Sequence, residues 1–221
     1  MEIKYSLIFD FDSTITSVEA LDILASRCLN GWPDQQERIA AIHEITEAAM
    51  QGKIGFNEAL QRRLNLLPVN RQDIEHLVEF LSKKISPSFL RHIDFFQKNQ
   101  GRIYVVSGGF KEFIVPVVAQ LKIPENCVYA NTFLWSEDDQ VIGFDDRNPL
   151  SQKQGKIRLL QALNLPEPIV VIGDGFTDAE IKAAGVADRF YLYAEHIHRV
   201  HLESIADAVI HSLDDFLENY L

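Results

Sequence analysis

Cysteine is nearly absent: the 221 residues hold only Cys28 and Cys127, far apart in the chain. One disulfide could join them, but a chain of this length does not need it, and reduced cytoplasmic thiols are the expectation. Long apolar runs are missing as well. The opening MEIKYSLIFDFD has only a short apolar run before its first aspartate. That is too short for the hydrophobic part of a signal peptide and far too short to cross a bilayer, so a membrane role is not expected. Basic residues are in the minority, 21 Lys and Arg against 32 Asp and Glu, for a formal net charge of −11. This balance argues against nucleic acid as the main partner, because binding a phosphate backbone takes a basic face. It also means that an anionic substrate must be held by a few local cations or a metal, since the overall field repels it. Neither internal repeats nor low-complexity linkers are found.

What is present suits a folded domain. Hydrophobic residues make up 47% and charged residues 24%, an ordinary balance for a chain that buries a real core. The length fits one medium domain, or one domain carrying a smaller insertion, as a monomer or homodimer. Tyr5 to Phe9 reads as a strand buried on both faces. Similar runs recur at Ile103–Val106 and Ile169–Ile172, with weaker ones at Arg189–Tyr193 and Ala206–Ile210. Helical patterns lie between them: Pro87–Gln100 ending at Gly101, Phe110–Leu121 with Pro116 inside, and Gln152–Leu163. Alternation of this kind predicts an α/β fold, a Rossmann-like parallel sheet with helices on both faces.

Residues 17–84 break the rhythm. They read as helix after helix: Val18–Cys28, Asp34–Gln51 closing at Gly52, Phe56–Leu67, and Arg71–Lys83 behind an Asn70 cap. The expectation is a core of residues 1–16 and 85–221 with a helical cap inserted at 17–84. Asn131 to Asp145 predicts a small hairpin.

Three strand-like runs end in polar residues. The first ends Asp10-Phe11-Asp12-Ser13-Thr14, the second Ser107-Gly108-Gly109, the third Gly173-Asp174-Gly175-Phe176-Thr177-Asp178. Ligand sites of open α/β sheets lie beyond the carboxyl ends of the strands, so these residues would converge on one rim. Crowded carboxylates need a neutralising cation, and Mg²⁺, a hard ion that takes oxygen ligands and bridges to phosphate, fits. In an extended chain Asp10 and Asp12 face the same side, so one can attack while the other handles protons. The glycines at 108, 109 and 175 permit tight turns and expose N–H groups to an anion. Any one of these segments alone would more often be a turn or a helix cap. All three in order, each after a buried strand, shift the balance to an active site.

The set DFDST, SGGF and GDGFTD, at Asp10–Thr14, Ser107–Phe110 and Gly173–Asp178, resembles the motifs of the haloacid dehalogenase-like hydrolases, and its order and spacing resemble the phosphoserine phosphatase branch. The resemblance covers nearly the whole chain. It implies hydrolysis of a small phosphomonoester, O-phospho-L-serine, with Asp10 as nucleophile forming an aspartyl-phosphate and Asp12 as general acid and base. It implies Mg²⁺ on the carboxylates of Asp10 and Asp174 and the main-chain carbonyl of Asp12, with Asp178 supporting a metal-bound water. Ser107, the N–H of Gly108 and a lysine would stabilise the equatorial oxygens of the transferring phosphoryl group. Glutamine stands where the family carries lysine next to glycine. With Ser151 as helix cap, Lys153 is the first choice for that lysine and Lys156 its rival.

Within the insertion, Glu19 matches the residue that meets a substrate ammonium and Arg63 the one that meets its carboxylate. Met50 and Phe56 match the apolar lining of the same pocket. A cation and an anion placed together can read an amino acid. Taken singly, each has a plainer reading: Glu19 as a helix-dipole partner, Arg63 as a solvated side chain, Met50 and Phe56 as core. Asn131 also resembles a family position near the site. His196, His198 and His201 lack the spacing of a zinc site and are given no role. Two other readings stay open: a phosphatase of another small metabolite, and a catalytically idle binding domain.

Overall fold

The computed structural model describes residues 2–50 and 53–221, without the side chains of Glu47, Ala49 and Met50. The expected closure of the second helix at Gln51 and Gly52 lies outside the described residues. The chain begins with β1 (Ser6–Phe9), followed by α1 (Ala20–Cys28), α2 (Gln35–Met50), α3 (Phe56–Leu64) and α4 (Arg71–Ser82). Then come α5 (Pro87–Arg91), α6 (Ile93–Lys98), β2 (Ile103–Phe110), α7 (Lys111–Val118) and β3 (Val128–Asn131). The antiparallel hairpin β4 (Phe133–Trp135) and β5 (Val141–Phe144) follows, and then α8 (Gly155–Leu163), β6 (Ile169–Gly173) and α9 (Phe176–Ala183). The chain closes with β7 (Arg189–Tyr193), β8 (Ala208–Ile210) and α10 (Leu213–Asn219).

Six strands pair in the order β3-β2-β1-β6-β7-β8, all parallel. Every residue of β1 and of β6 is buried, as the apolar runs predict for strands covered on both faces. The chain moves from β1 to β2 and β3 on one side, then crosses to β6, β7 and β8 on the other. The sheet therefore has a switch point at β1, where a crevice opens beyond the carboxyl ends of the central strands. Aromatic packing holds β1 down: the Phe9 ring lies 5.3 Å from Phe89 and 5.9 Å from Phe96. Burial of each such ring contributes roughly 1.5–3 kcal/mol.

The four helices α1–α4 lie between β1 and α5. The Asn70 cap is present as a full capping box, Asn70 Oδ1 accepting from the Asp73 N–H at 3.0 Å and Asp73 Oδ2 from the Asn70 N–H at 2.9 Å. The segment hangs on two antiparallel strands of backbone, with Ser17 N–H donating to Lys84 O at 2.9 Å and Ser86 N–H to Ile15 O at 2.9 Å. The expected single helix over 87–100 is two short ones, α5 and α6. The break at His92 lets Arg91 and His92 both reach Asp214 of α10, a partner distant in sequence. Cys28 and Cys127 are both free and buried. Among the described residues, no helix is long and apolar enough to cross a membrane.

Candidate active site

Asp10 follows β1, its N–H donating to Ile172 O of β6 at 3.0 Å, so the residue continues the central sheet into the crevice. Residues 11–15 then wind through one wide turn, closed by the Thr16 N–H on Phe11 O at 3.0 Å. Ser13 takes the left-handed conformation there, with φ of 54°. Asp10 Oδ1 accepts from the Phe11 N–H at 2.7 Å. The Asp12 carboxylate turns to the start of α1 and accepts from the Ala20 N–H at 2.8 Å.

After β6, Asp174 and Asp178 join Asp10. One carboxylate oxygen from each of the three lies within 4.8 Å of the others. Asp174 and Asp178 are both buried, and Gly173 has to be glycine, because a Cβ there would sit 2.3 Å from the Asp178 carboxyl. Asp178 also caps its own helix, Oδ2 accepting from the Gly175 N–H at 3.2 Å. Burial, and behind it the charge of Asp10, raises the Asp174 pKa to about 6 despite the neighbouring Arg199. Asp178 is pushed up to about 8, chiefly by burial, with Lys156 pulling the other way and Asp10 adding to the rise. Burial also raises Asp12 well above the usual carboxylate range, followed by the charge of Glu19 and partly offset by the Ala20 N–H. A set of hard oxygen donors that protein charge alone leaves under-neutralised fits a divalent cation such as Mg²⁺.

The local fold sets the two candidate lysines apart. Residues 149–151 form a tight turn that buries Ser151, whose hydroxyl donates back to Asn148 O at 2.9 Å instead of capping a helix. Gln154 is left-handed, with φ of 57°, and α8 starts only at Gly155. A Cβ on Gly155 would lie 2.2 Å from Pro149 O, so only glycine lets the helix start this close to the turn. Lys153 is therefore exposed in the lead-in, whereas Lys156 in the first turn is buried. Its Nζ lies 3.0 Å from Asp10 Oδ1 and 2.7 Å from Asp178 Oδ1. Burial works against the Lys156 ammonium, but the two carboxylates outweigh it and raise its pKa.

Ser107 is buried at the mouth end of β2, its Oγ accepting from the Gly109 N–H at 3.0 Å. Asn131 of β3 donates through Nδ2 to Gly108 O at 2.8 Å. Phe110 stacks on Phe133 with ring centroids 3.7 Å apart, fixing the far end of the same loop. Phe56, at the start of α3, is 41% exposed yet reaches this loop: its Cζ would lie 3.4 Å from a Cβ on Gly108. A ring so open, beside Gly108, is not core.

Glu19 lies beside the turn that follows Asp10, Oε1 accepting from the Ser13 hydroxyl at 2.6 Å. Burial raises its pKa, the Ser13 bond opposes the rise, and the charges of Asp10 and Asp22 add to it. Arg63 of α3 faces α1, but its partner is Asp22, with Nη2 3.1 Å from Oδ1. It is thus brought to the helix that begins next to Glu19, one turn further on. Met50 lies outside the described residues as far as its side chain goes. Arg199 is a site residue that sequence reading missed. Its Nη2 and Nε approach Asp174 Oδ2 at 3.1 and 3.3 Å. Its sequence context HIHRVH draws the eye to histidines, and no spacing signals the arginine.

The model of the haloacid dehalogenase-like hydrolases matches residues 6–185. The chloroplastic phosphoserine phosphatase of Arabidopsis thaliana is 32% identical over 214 residues, 96% of this chain and 70% of that protein. The phosphoserine phosphatase of Homo sapiens is 30% identical over 213 residues, 95% of this chain and 89% of its own length. Among solved structures, a phosphoserine phosphohydrolase-like protein from Francisella tularensis superposes with a TM-score of 0.83 at 25% identity, covering 98% of this chain and all of its own. On this family match and these relatives, the chain belongs to the haloacid dehalogenase-like hydrolases and is a phosphatase of the phosphoserine phosphatase-like branch.

Proposed function

We propose that this phosphatase hydrolyses O-phospho-L-serine to L-serine and phosphate through a covalent aspartyl-phosphate on Asp10. The observation that carries the reading is the arrangement around Asp10. Its Oδ1 is engaged by the Phe11 N–H and by Lys156, which leaves Oδ2 to attack phosphorus. As the P–O bond to the seryl oxygen breaks, Asp12 gives that oxygen its proton, a task suited to a carboxyl held above its usual pKa. The ionised Asp12 then takes a proton from water as it attacks phosphorus, releasing phosphate and restoring Asp10. Ser107 and the N–H of Gly108 face the equatorial oxygens, with Lys156 in place of Lys153 as their cation. Asp10, Asp174 and Asp178, with the carbonyl of Asp12, would hold Mg²⁺, which supplies charge neutralisation on the phosphoryl oxygens when bound. Cytoplasmic residence accords with two buried free thiols.

Substrate choice falls to residues 17–84, acting as a cap above the core. Glu19 and Arg63 supply an anion and a cation on adjacent helices, and Phe56 overhangs the Gly108 loop, an array suited to an ammonium, a carboxylate and a short side chain. Arg63 exchanges Asp22 for the substrate carboxylate on binding. Arg63→Ala is expected to raise KM for phosphoserine about 10- to 100-fold, the loss of one or two charge-assisted hydrogen bonds. An aryl phosphate without a carboxylate should change by less than about threefold. Equal losses on both substrates, measured side by side, would remove Arg63 from this role.

The metal assignment has its own readout. Folded Asp174 and Asp178 bind protons more tightly than they do in the unfolded chain, where 3.8 is the ordinary value. Without metal, stability therefore falls as pH rises from that value through about 6 and then about 8. Mg²⁺ replaces those protons, so it should raise Tm more at about pH 8 than at about pH 5. EDTA should stop turnover. Activity persisting in EDTA, or a Tm indifferent to Mg²⁺ at both pH values, would contradict the assignment.

A further inference from the structure

His196 is not a solvated surface histidine. It lies half-buried in the loop between β7 and β8, with its Nε2 2.6 Å from the hydroxyl of Ser86. Ser86 is 1% exposed and belongs to one of the two backbone strands on which residues 17–84 hang. The same hydroxyl lies 3.2 Å from the carbonyl of Thr14, in the turn that follows Asp10 and Asp12. A short chain of contacts thus joins three things: the β7–β8 loop, the root of the helical segment and the catalytic turn. Three residues beyond His196, the loop carries Arg199 to Asp174. The imidazole is itself held, its ring 6.2 Å from that of Tyr193, which is bonded to Glu195. Ser88, two residues past Ser86, joins from the other side at 3.4 Å from both Tyr193 and Glu195.

We propose that His196 is a positioning residue: through Ser86 it sets the root of residues 17–84 against the catalytic turn and the Arg199 loop. The proposal rests on reading residues 17–84 as the substrate-selecting cap. Burial lowers the His196 pKa and the charge of Glu195 opposes this; with the Ser86 hydroxyl donating to Thr14 O, the ring donates its Nε2–H to Ser86 Oγ. Loss of the contact frees the root by one hydrogen bond without touching any group that meets phosphate. The consequence is poorer placement of Glu19, Phe56 and Arg63, felt by a substrate that uses them and not by one that does not.

The test compares His196→Gln, whose amide reaches as far as Nε2, with His196→Asn and His196→Ala, which cannot. For phosphoserine, His196→Asn and His196→Ala should lose about tenfold in kcat/KM, while His196→Gln stays within about threefold of the wild type. For an aryl phosphate all three should stay within about twofold. In the double variant with Arg63→Ala, the loss on phosphoserine should be smaller than the product of the single losses, because both act through cap placement. If His196→Ala does not fold, the Gln and Asn pair decides. Equal behaviour of Gln and Asn, or equal losses on the two substrates, would overturn the positioning role. A selective Arg63→Ala beside indifferent His196 variants would overturn it alone, whereas an unselective Arg63→Ala would overturn the cap reading as well.

Discussion

Asp10→Asn is expected to abolish phosphate release, by at least about four orders of magnitude, while the protein keeps its fold. Asparagine has the shape of aspartate and keeps an oxygen for the Phe11 N–H, so the turn has no reason to move. What it lacks is an anionic oxygen able to attack phosphorus. Two effects on stability oppose each other: removing the Asp10 charge relieves Asp12, Asp174 and Asp178, whose pKa it pushes up, but takes from the buried Lys156 ammonium one of its two carboxylates, leaving Asp178. An inactive but folded protein is thus the expected result. Wild type quenched during turnover should carry phosphate on the peptide that contains Asp10, and the variant none. Residual activity within about tenfold of wild type would remove Asp10 from the nucleophile role.

Lys156→Ala should be the most damaging change outside the acidic residues. The ammonium is buried between Asp10 and Asp178, and taking it away leaves two buried carboxylates without their cation. Breaking a buried pair in this way costs about 3–5 kcal/mol of stability. The rate should fall about 10³-fold, since Lys156 both orients the attacking carboxylate and faces the developing phosphoryl charge. Without its pull, the Asp178 pKa should rise further. Lys153→Ala offers the contrast: an exposed residue whose loss should change stability by less than about 0.5 kcal/mol and activity by less than twofold. Urea denaturation and kcat/KM on both variants decide the matter, and the reverse ranking would restore Lys153.

The difference between the two lysines shows what a sequence conveys and what it withholds. The central strands were legible because a strand buried on both faces must be apolar throughout, and DFDST, SGGF and GDGFTD stand directly at their ends. The Asn70 cap was legible for the same local reason. The start of α8 was not. Ser151 looks like a cap, but the turn at 149–151 and the left-handed Gln154 delay the helix to Gly155, a choice made by close packing against Pro149. Long-range pairing was equally hidden. Nothing near His92 announces that the helix is interrupted there or that Asp214 is its partner, and nothing in HIHRVH says that Arg199 reaches Asp174 or that His196 meets Ser86. Arg63 shows the same limit: the family resemblance singles it out, while nothing in the sequence says that it pairs with Asp22.

The most direct measurement is phosphate release with Mg²⁺ from a panel of phosphoserine, phosphothreonine, phosphohomoserine and sugar phosphates. The expected result is a kcat/KM for phosphoserine at least about tenfold above every other compound, the margin that one well-read charged group supplies. Release from the other compounds at equal or higher kcat/KM would contradict the serine assignment.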